Sequence, residues 1–168
     1  MLKTKLGLLQ VRALTWPKFN KKQGYTLFEL MLAAGIVGVL SVIFIPGYYR
    51  YVTRVNMTTA TADIKTVEMA IEKYYGENNQ YPPNLATLGI NLRDPWGNPY
   101  RYLNILNGGP SAKGMARKDK NLVPINSDYD LYSSGEDGAS VSPLTAKASQ
   151  DDVVRANNGA YIGPAADY

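Results

Sequence analysis

Neither cysteine nor histidine occurs among the 168 residues. The first absence excludes a disulfide framework, zinc thiolate sites and a cysteine nucleophile. The second removes the commonest general base and the commonest transition-metal ligand, so an enzyme would have to work through carboxylates, lysine or a hard cation. A third absence is local: the first 24 residues hold no Asp or Glu, yet they hold Lys3, Lys5, Arg12, Lys18, Lys21 and Lys22. With six of the 18 basic residues placed there, the rest of the chain carries 12 basic against 14 acidic groups, and the net charge of +4 belongs to the N-terminal end. A basic cluster ahead of an apolar run is a topology signal, since lysine and arginine stay on the cytoplasmic side of a membrane. Nucleic-acid binding is not expected from it.

What is present begins with that apolar run. Leu27 to Ile45 has a single charge, Glu29, and approaches the ~20 residues needed to cross a bilayer as a helix. A secretory signal peptide or a simple signal anchor would share this hydropathy. A secretory signal, however, places its small-residue cleavage site after the apolar core, whereas Gly24 precedes it, directly behind Lys21-Lys22-Gln23. Cutting after Gly24 would leave the apolar segment on the mature chain. Glu29 also asks for a partner, because a carboxylate at membrane depth costs about 2.5–3.5 kcal/mol on insertion scales. The alternative is a side chain that snorkels to the nearby cytoplasmic surface.

The stretch Lys21-Lys22-Gln23-Gly24-Tyr25-Thr26-Leu27-Phe28-Glu29-Leu30 resembles the processing site of type IV prepilins and type II secretion pseudopilins. The resemblance implies that a prepilin peptidase cuts after Gly24 and that the new N-terminal residue, Tyr25, is methylated. Tyrosine departs from the phenylalanine or methionine usual there. It further implies that Glu29 meets the charged N-terminus of a neighbouring subunit during assembly, where pairing offsets the desolvation that either charge alone would suffer.

Pro46, followed by Gly47, removes a hydrogen bond from any helix that continues past the apolar run, and a kink or local melting is expected there. Pilin-like proteins resemble this arrangement. Ala34 and Gly38 form a small-xxx-small spacing that lets helices approach closely. Beyond Pro46, Ala60, Ile64, Val67, Ile71 and Tyr74 recur at helical steps, while Asp63, Lys65, Glu68 and Glu72 fall on other faces. One helix from about Tyr25 to about Tyr75 would be roughly 75 Å long, more than the remaining residues can cover. Its first half must be buried by lipid, and later by equivalent helices in an open helical polymer. The expected organisation is a leader over 1–24, a transmembrane and assembly helix over 25–52, and a periplasmic head over 53–168 that includes the second half of the helix. The fold class is α+β: a long N-terminal helix packed against a small antiparallel sheet, pilin-like.

Gly76 is the expected helix end, with Asn78 to Pro83 as the exit. Strands are expected at Tyr100–Leu106, near Leu122–Ile125 and at Tyr129–Ser133. Asp94-Pro95-Trp96-Gly97-Asn98-Pro99-Tyr100-Arg101-Tyr102, with Tyr129-Asp130-Leu131-Tyr132-Ser133-Ser134-Gly135-Glu136-Asp137-Gly138, resembles the major pseudopilin of the type II secretion system. The block itself reads as a rigid turn with a buried tryptophan. The resemblance implies a calcium ion in the following loop, held by the Asp137 carboxylate, the Ser134 carbonyl and the returning Asp151 or Asp152. Ala139 to Gln150 is longer than the usual loop, and a solvated helix start is the other reading of Asp151 and Asp152. The tail after Asp151 departs from the pseudopilin ending. Lys113, Arg117, Lys118 and Lys120 form a basic cluster, expected to be a mobile solvated loop.

The function so implied is a structural subunit of a filament that drives protein export, without catalysis of its own. Its implied partners are copies of itself, minor pseudopilins, an inner-membrane assembly platform, the prepilin peptidase and, before assembly, membrane lipid. The implied location is the bacterial inner membrane, crossed once, with the leader cytoplasmic and the head and filament periplasmic. A type IV pilin for adhesion, twitching or DNA uptake is the alternative, against which the lack of a C-terminal cysteine pair argues. A membrane-anchored periplasmic enzyme is a third reading.

Overall fold

The computed structural model describes residues 24–168. The leader expected over 1–24 therefore lies outside the described residues except for Gly24. The chain divides into two compact units, one ending at Ile43 and the other Phe44–Tyr168. The boundary falls within one helix, α1, which spans Leu27–Asn78. α1 opens on a capping box: Glu29 N donates to Thr26 Oγ1 at 3.2 Å, and the Glu29 carboxylate accepts from Thr26 N at 2.8 Å. It runs unbroken through Pro46, so the turn there stays helical although the proline ring donates nothing to the ladder. It also runs past Gly76, the expected end. Gly76 keeps helical geometry, and the stop comes from Asn79, whose positive φ of 55° is left-handed and whose N–H caps the Tyr75 carbonyl at 2.7 Å.

Among the described residues of the first unit nothing packs on the helix, and from Gly24 to Leu40 every residue is exposed. In the second unit the 3.6-residue stripe is used by the chain itself. Ala60, Ile64, Val67 and Ile71 are fully buried against Tyr100, Tyr129, Leu131 and Val153.

The sheet that receives this stripe has four antiparallel strands in the order of the chain: β1 Arg101–Asn104, β2 Tyr129–Ser133, β3 Val153–Ala156 and β4 Tyr161–Pro164. The strands β1 and β2 fall within the stretches expected to be strands, Tyr100–Leu106 and Tyr129–Ser133. The expected strand at Leu122–Ile125 is absent. Pro124 has no N–H to donate, and Ile125, the buried residue of the segment, bonds instead to the Arg117 carbonyl at 2.9 Å, while Leu122 and Val123 are exposed. The strands β3 and β4 were not anticipated, and they overturn the reading of Asp151 and Asp152 as a solvated helix start. β3 is buried along its whole length because it has a layer on each face. Val153 joins the core under α1, while Val154 and Ala156 join Ile125, Leu144 and Ala165 in a second core beneath the C-terminal coil. Four consecutive buried positions do not alternate as a half-exposed strand would, which hides such a strand from a period-of-two search.

A short helix, α2, Gly109–Met115, links β1 toward β2. The basic cluster that follows it is not the loop expected. Arg117 is only 3% exposed, since three segments of the head converge on its side chain.

Candidate functional site

The residues expected to act in processing and assembly sit at the start of α1. Gly24 and Tyr25 precede its first turn, and Tyr25 is 82% exposed. Glu29 faces out, with one carboxylate oxygen, Oε2, taken by Thr26 N and by Thr26 Oγ1 at 3.0 Å. The capping box holds the carboxylate at the helix start, where the unsatisfied N–H groups of the first turn favour negative charge. Around it stand Leu27, Phe28, Leu30 and Met31, and beyond them Ile36, Val37, Val39, Leu40 and Val42 to Ile45, all exposed apolar side chains. The 18-residue window has a mean hydropathy of 2.4 and none of it is buried. Ser41, within the run, satisfies its hydroxyl by donating to the Val37 carbonyl at 2.7 Å, an arrangement that hydrocarbon tolerates.

In the head, the Asp94 to Pro99 block is a turn built around one carboxylate. Asp94 Oδ1 accepts Asn98 N at 2.7 Å and Trp96 N at 3.1 Å, and its other oxygen accepts the Ser133 hydroxyl from the end of β2. Gly97 takes φ 94°, which an L side chain rarely adopts. Asn98 then reaches across to the Gly135 carbonyl at 3.0 Å, so the turn and the loop after β2 are joined. Trp96 is half-buried, packed on the edge of the main core rather than within it.

The four residues expected to hold calcium fall into two groups. Asp137 and Asp151 meet at the loop's mouth, where Asp151 Oδ2 accepts Asp137 N at 3.0 Å and Asp137 Oδ1 accepts Ala139 N at 2.7 Å. Gly135 allows this meeting, because a Cβ there would collide with the Asp151 backbone carbonyl. Ser134 is buried beside them. Asp152, fully buried, points elsewhere: its Oδ2 accepts from the Arg117 guanidinium and from the Ser140 hydroxyl. Among the described residues no three acidic side chains converge in the manner of a metal site. Calcium takes six to eight oxygens and favours charged carboxylates. With Asp152 already neutralised by a guanidinium, the donor set as arranged does not fit that ion.

A second buried arginine went unnoticed in the sequence. Arg155 on β3 donates from Nε to Glu68 of α1 at 2.6 Å, and from both terminal nitrogens to Asp128 ahead of β2, at 2.9 and 2.7 Å. Its guanidinium lies 4.0 Å from the Tyr129 ring centre. Burial works against the Arg155 charge, but the hydrogen bonds it donates to Asp128 and Glu68 outweigh it and raise its pKa. Tyr129 donates in turn to Glu72 at 3.1 Å, and Tyr100 to Asp63 at 2.9 Å. Burial, followed by those carboxylates, lifts both phenols above their ordinary range, and burial beside Glu72 and Asp128 pushes Tyr81 up to about 12. These contacts are structural: charged groups on the polar edges of the helix stripe find their partners on the sheet.

A helix that leaves its apolar first half exposed, carrying an acidic residue in its first turn, and a second half laid on a four-stranded antiparallel sheet define a pilin-like chain. Comparison with curated proteins sharpens the class. The chain is similar to the type II secretion system core protein G of Pseudomonas aeruginosa, with 28% identity over 141 residues covering 71% of this chain and 87% of that protein. It is similar to the protein of the same name from Escherichia coli K12, at 28% identity and 71% and 85% coverage. A fimbrial protein of Neisseria meningitidis serogroup B is 27% identical over 143 residues, covering 80% of this chain and 84% of its own. No family model matches the chain. No solved structure matches it.

Proposed function

We propose that this chain is a structural subunit of a pilus-like filament that serves type II secretion. The observation that carries the reading is the unpartnered apolar half of α1, with all of Gly24 to Leu40 exposed, in a chain similar to secretion core proteins along most of their length. Such a surface needs an apolar environment from outside the subunit. The bilayer supplies it first, with the basic N-terminal cluster cytoplasmic and the head periplasmic, and the same helix of other copies supplies it after assembly. A prepilin peptidase cuts after Gly24, Tyr25 becomes the methylated N-terminus, and the Glu29 carboxylate receives the amine of a neighbouring copy. The subunit performs no chemistry. It works with an inner-membrane assembly platform and with minor pseudopilins.

Glu29→Gln tests the assembly role. The variant inserts in the inner membrane as the parent does, and its yield of sheared or cross-linked filament falls at least tenfold; a yield near that of the parent would reject the role assigned to Glu29. A type IV pilin remains the second reading, favoured by the similarity to fimbrial protein along 80% of the chain. A deletion strain separates the two, since a secretion subunit leaves exported proteins stranded in the periplasm and a pilin leaves the cell surface without fibres.

A further inference from the structure

Between β2 and β3 the chain makes a long excursion, and from Ala139 to Gln150 its regular structure is one short 3-10 turn, Lys147–Ser149. Something other than a strand ladder has to hold this loop in place. Two of its oxygens, and one from Asp152 just beyond its end, converge on one group. The Arg117 guanidinium donates to the Val141 carbonyl at 2.9 Å, to the Ser140 hydroxyl and to the Asp152 carboxylate, and Ser140 also donates to Asp152 at 2.6 Å. The start of the loop is thereby tied to the residue that leads into β3, across a sequence separation of 12. A carbonyl, a hydroxyl and a carboxylate are the oxygen types with which a loop holds a hard cation.

We propose that Arg117 is the built-in cation of this loop and orders residues 139–152 in place of a divalent metal ion. Its anchorage supports the assignment. Arg117 N donates to Asp130 of β2 at 2.6 Å, the Arg117 carbonyl accepts from Ile125 N, and the guanidinium lies 4.3 Å from the Tyr132 ring centre. The neighbouring backbone continues the tie, through Lys118 N to the Ser142 carbonyl at 3.0 Å and Leu144 N to the Lys118 carbonyl at 2.9 Å. The guanidinium is covalently part of the chain, so this cation cannot be chelated or exchanged. A metal ion arriving at Asp152 would have to share a buried carboxylate with a positive charge already in contact with it. Arg117 Nε and Asp152 Oδ1 are buried without a hydrogen-bond partner, and removing either charge would leave the other buried and uncompensated. The inference rests on the head alone and stands whether or not the filament reading does.

The experiment is thermal unfolding of the full chain in detergent micelles, followed by circular dichroism, in millimolar calcium and in excess chelator. A metal bound only by the folded state at a hundred times its dissociation constant would raise the midpoint by several degrees. The expected result is coincident midpoints, and a calcium-dependent rise of several degrees overturns the proposal without any variant being made. Arg117→Met keeps the stem and removes the charge; its midpoint falls by about 10 °C and protease cuts the 139–152 segment faster, with calcium present or absent. Asp152→Leu shows a similar loss. The double variant Arg117→Met/Asp152→Leu leaves no unpaired charge and loses clearly less than the two single losses added together. Additive losses, or calcium restoring the Arg117→Met loop to parental protease resistance, would overturn the assignment.

Discussion

Two stretches of one helix, Leu27–Ile43 and Ala60–Ile71, handle apolar side chains in opposite ways. In the second, the buried residues keep to one stripe, and the polar edges beside it carry Asp63, Glu68 and Glu72, the last two with partners on the sheet and the first with Tyr100 just ahead of it. In the first, apolar residues occupy every face and none is covered. Burying one isoleucine or valine side chain is worth about 1.5–3 kcal/mol. The head collects that energy on folding, while the first stretch can collect it only from lipid or from other copies. A stripe marks a surface meant for one's own chain, and apolarity all round marks one meant for another environment.

Substitutions can break this contrast or sharpen it. The largest expected effect is at Arg155. Arg155→Met leaves Glu68 and Asp128 facing each other without their cation, and the head loses about 3–5 kcal/mol in denaturant unfolding; a loss below 1 kcal/mol would show that the network is decorative. Next comes a matched pair of isoleucines. Ile71→Ala, at a site with no exposure, costs about 2–5 kcal/mol of head stability. Ile36→Ala, at a site 53% exposed, leaves head unfolding unchanged and shows its effect only in membrane retention or filament yield. Equal effects of the two on head unfolding would dissolve the comparison.

Alkali gives a smaller and graded effect. The folded head holds Tyr100 and Tyr129 above the ordinary phenol value and Tyr81 up to about 12, so the unfolded chain releases these protons first. Stability is intact below pH ~10 and falls as pH rises from there, by about 1.4 kcal/mol per pH unit for each fully held phenol. Phenolate absorbance from Tyr129 should therefore appear only on unfolding. The smallest effect belongs to Lys73 and Glu77, a pair on the exposed side of α1 at 4.0 Å. Lys73→Ala changes unfolding by less than about 0.5 kcal/mol.

The helix, its stripe, the exposed apolar half and the strands β1 and β2 were legible because each has a period or a composition of its own. The C-terminal third was not. Val153 to Ala156 is covered on both faces and therefore shows no alternation, and its arginine, which points into the head, resembles a surface residue in any linear reading. Arg117 misled for the same reason. It stands among Lys113, Lys118 and Lys120, and only the fold brings Ser140, Val141 and Asp152 to it from 23 to 35 residues away. Asp94 was legible as part of a turn, but its bond to Ser133 depends on pairing that a sequence does not display. Long-range polar partners carry no periodic signal.

Arg155 has one more consequence, and it is mechanical. Apolar contacts slide cheaply, since one methyl group is much like the next, whereas a planar fork of N–H donors has a single register. A pull on the second half of the helix reaches the sheet as tension in the charged hydrogen bond from Arg155 Nε to Glu68, while the two bonds from the terminal nitrogens to Asp128 fix the guanidinium to the head. A torque about the helix axis must break the Glu68 bond before the side chains beneath can slip. The head is keyed to its shaft, so any rotation of that part of the helix turns the outer face of the head by the same angle.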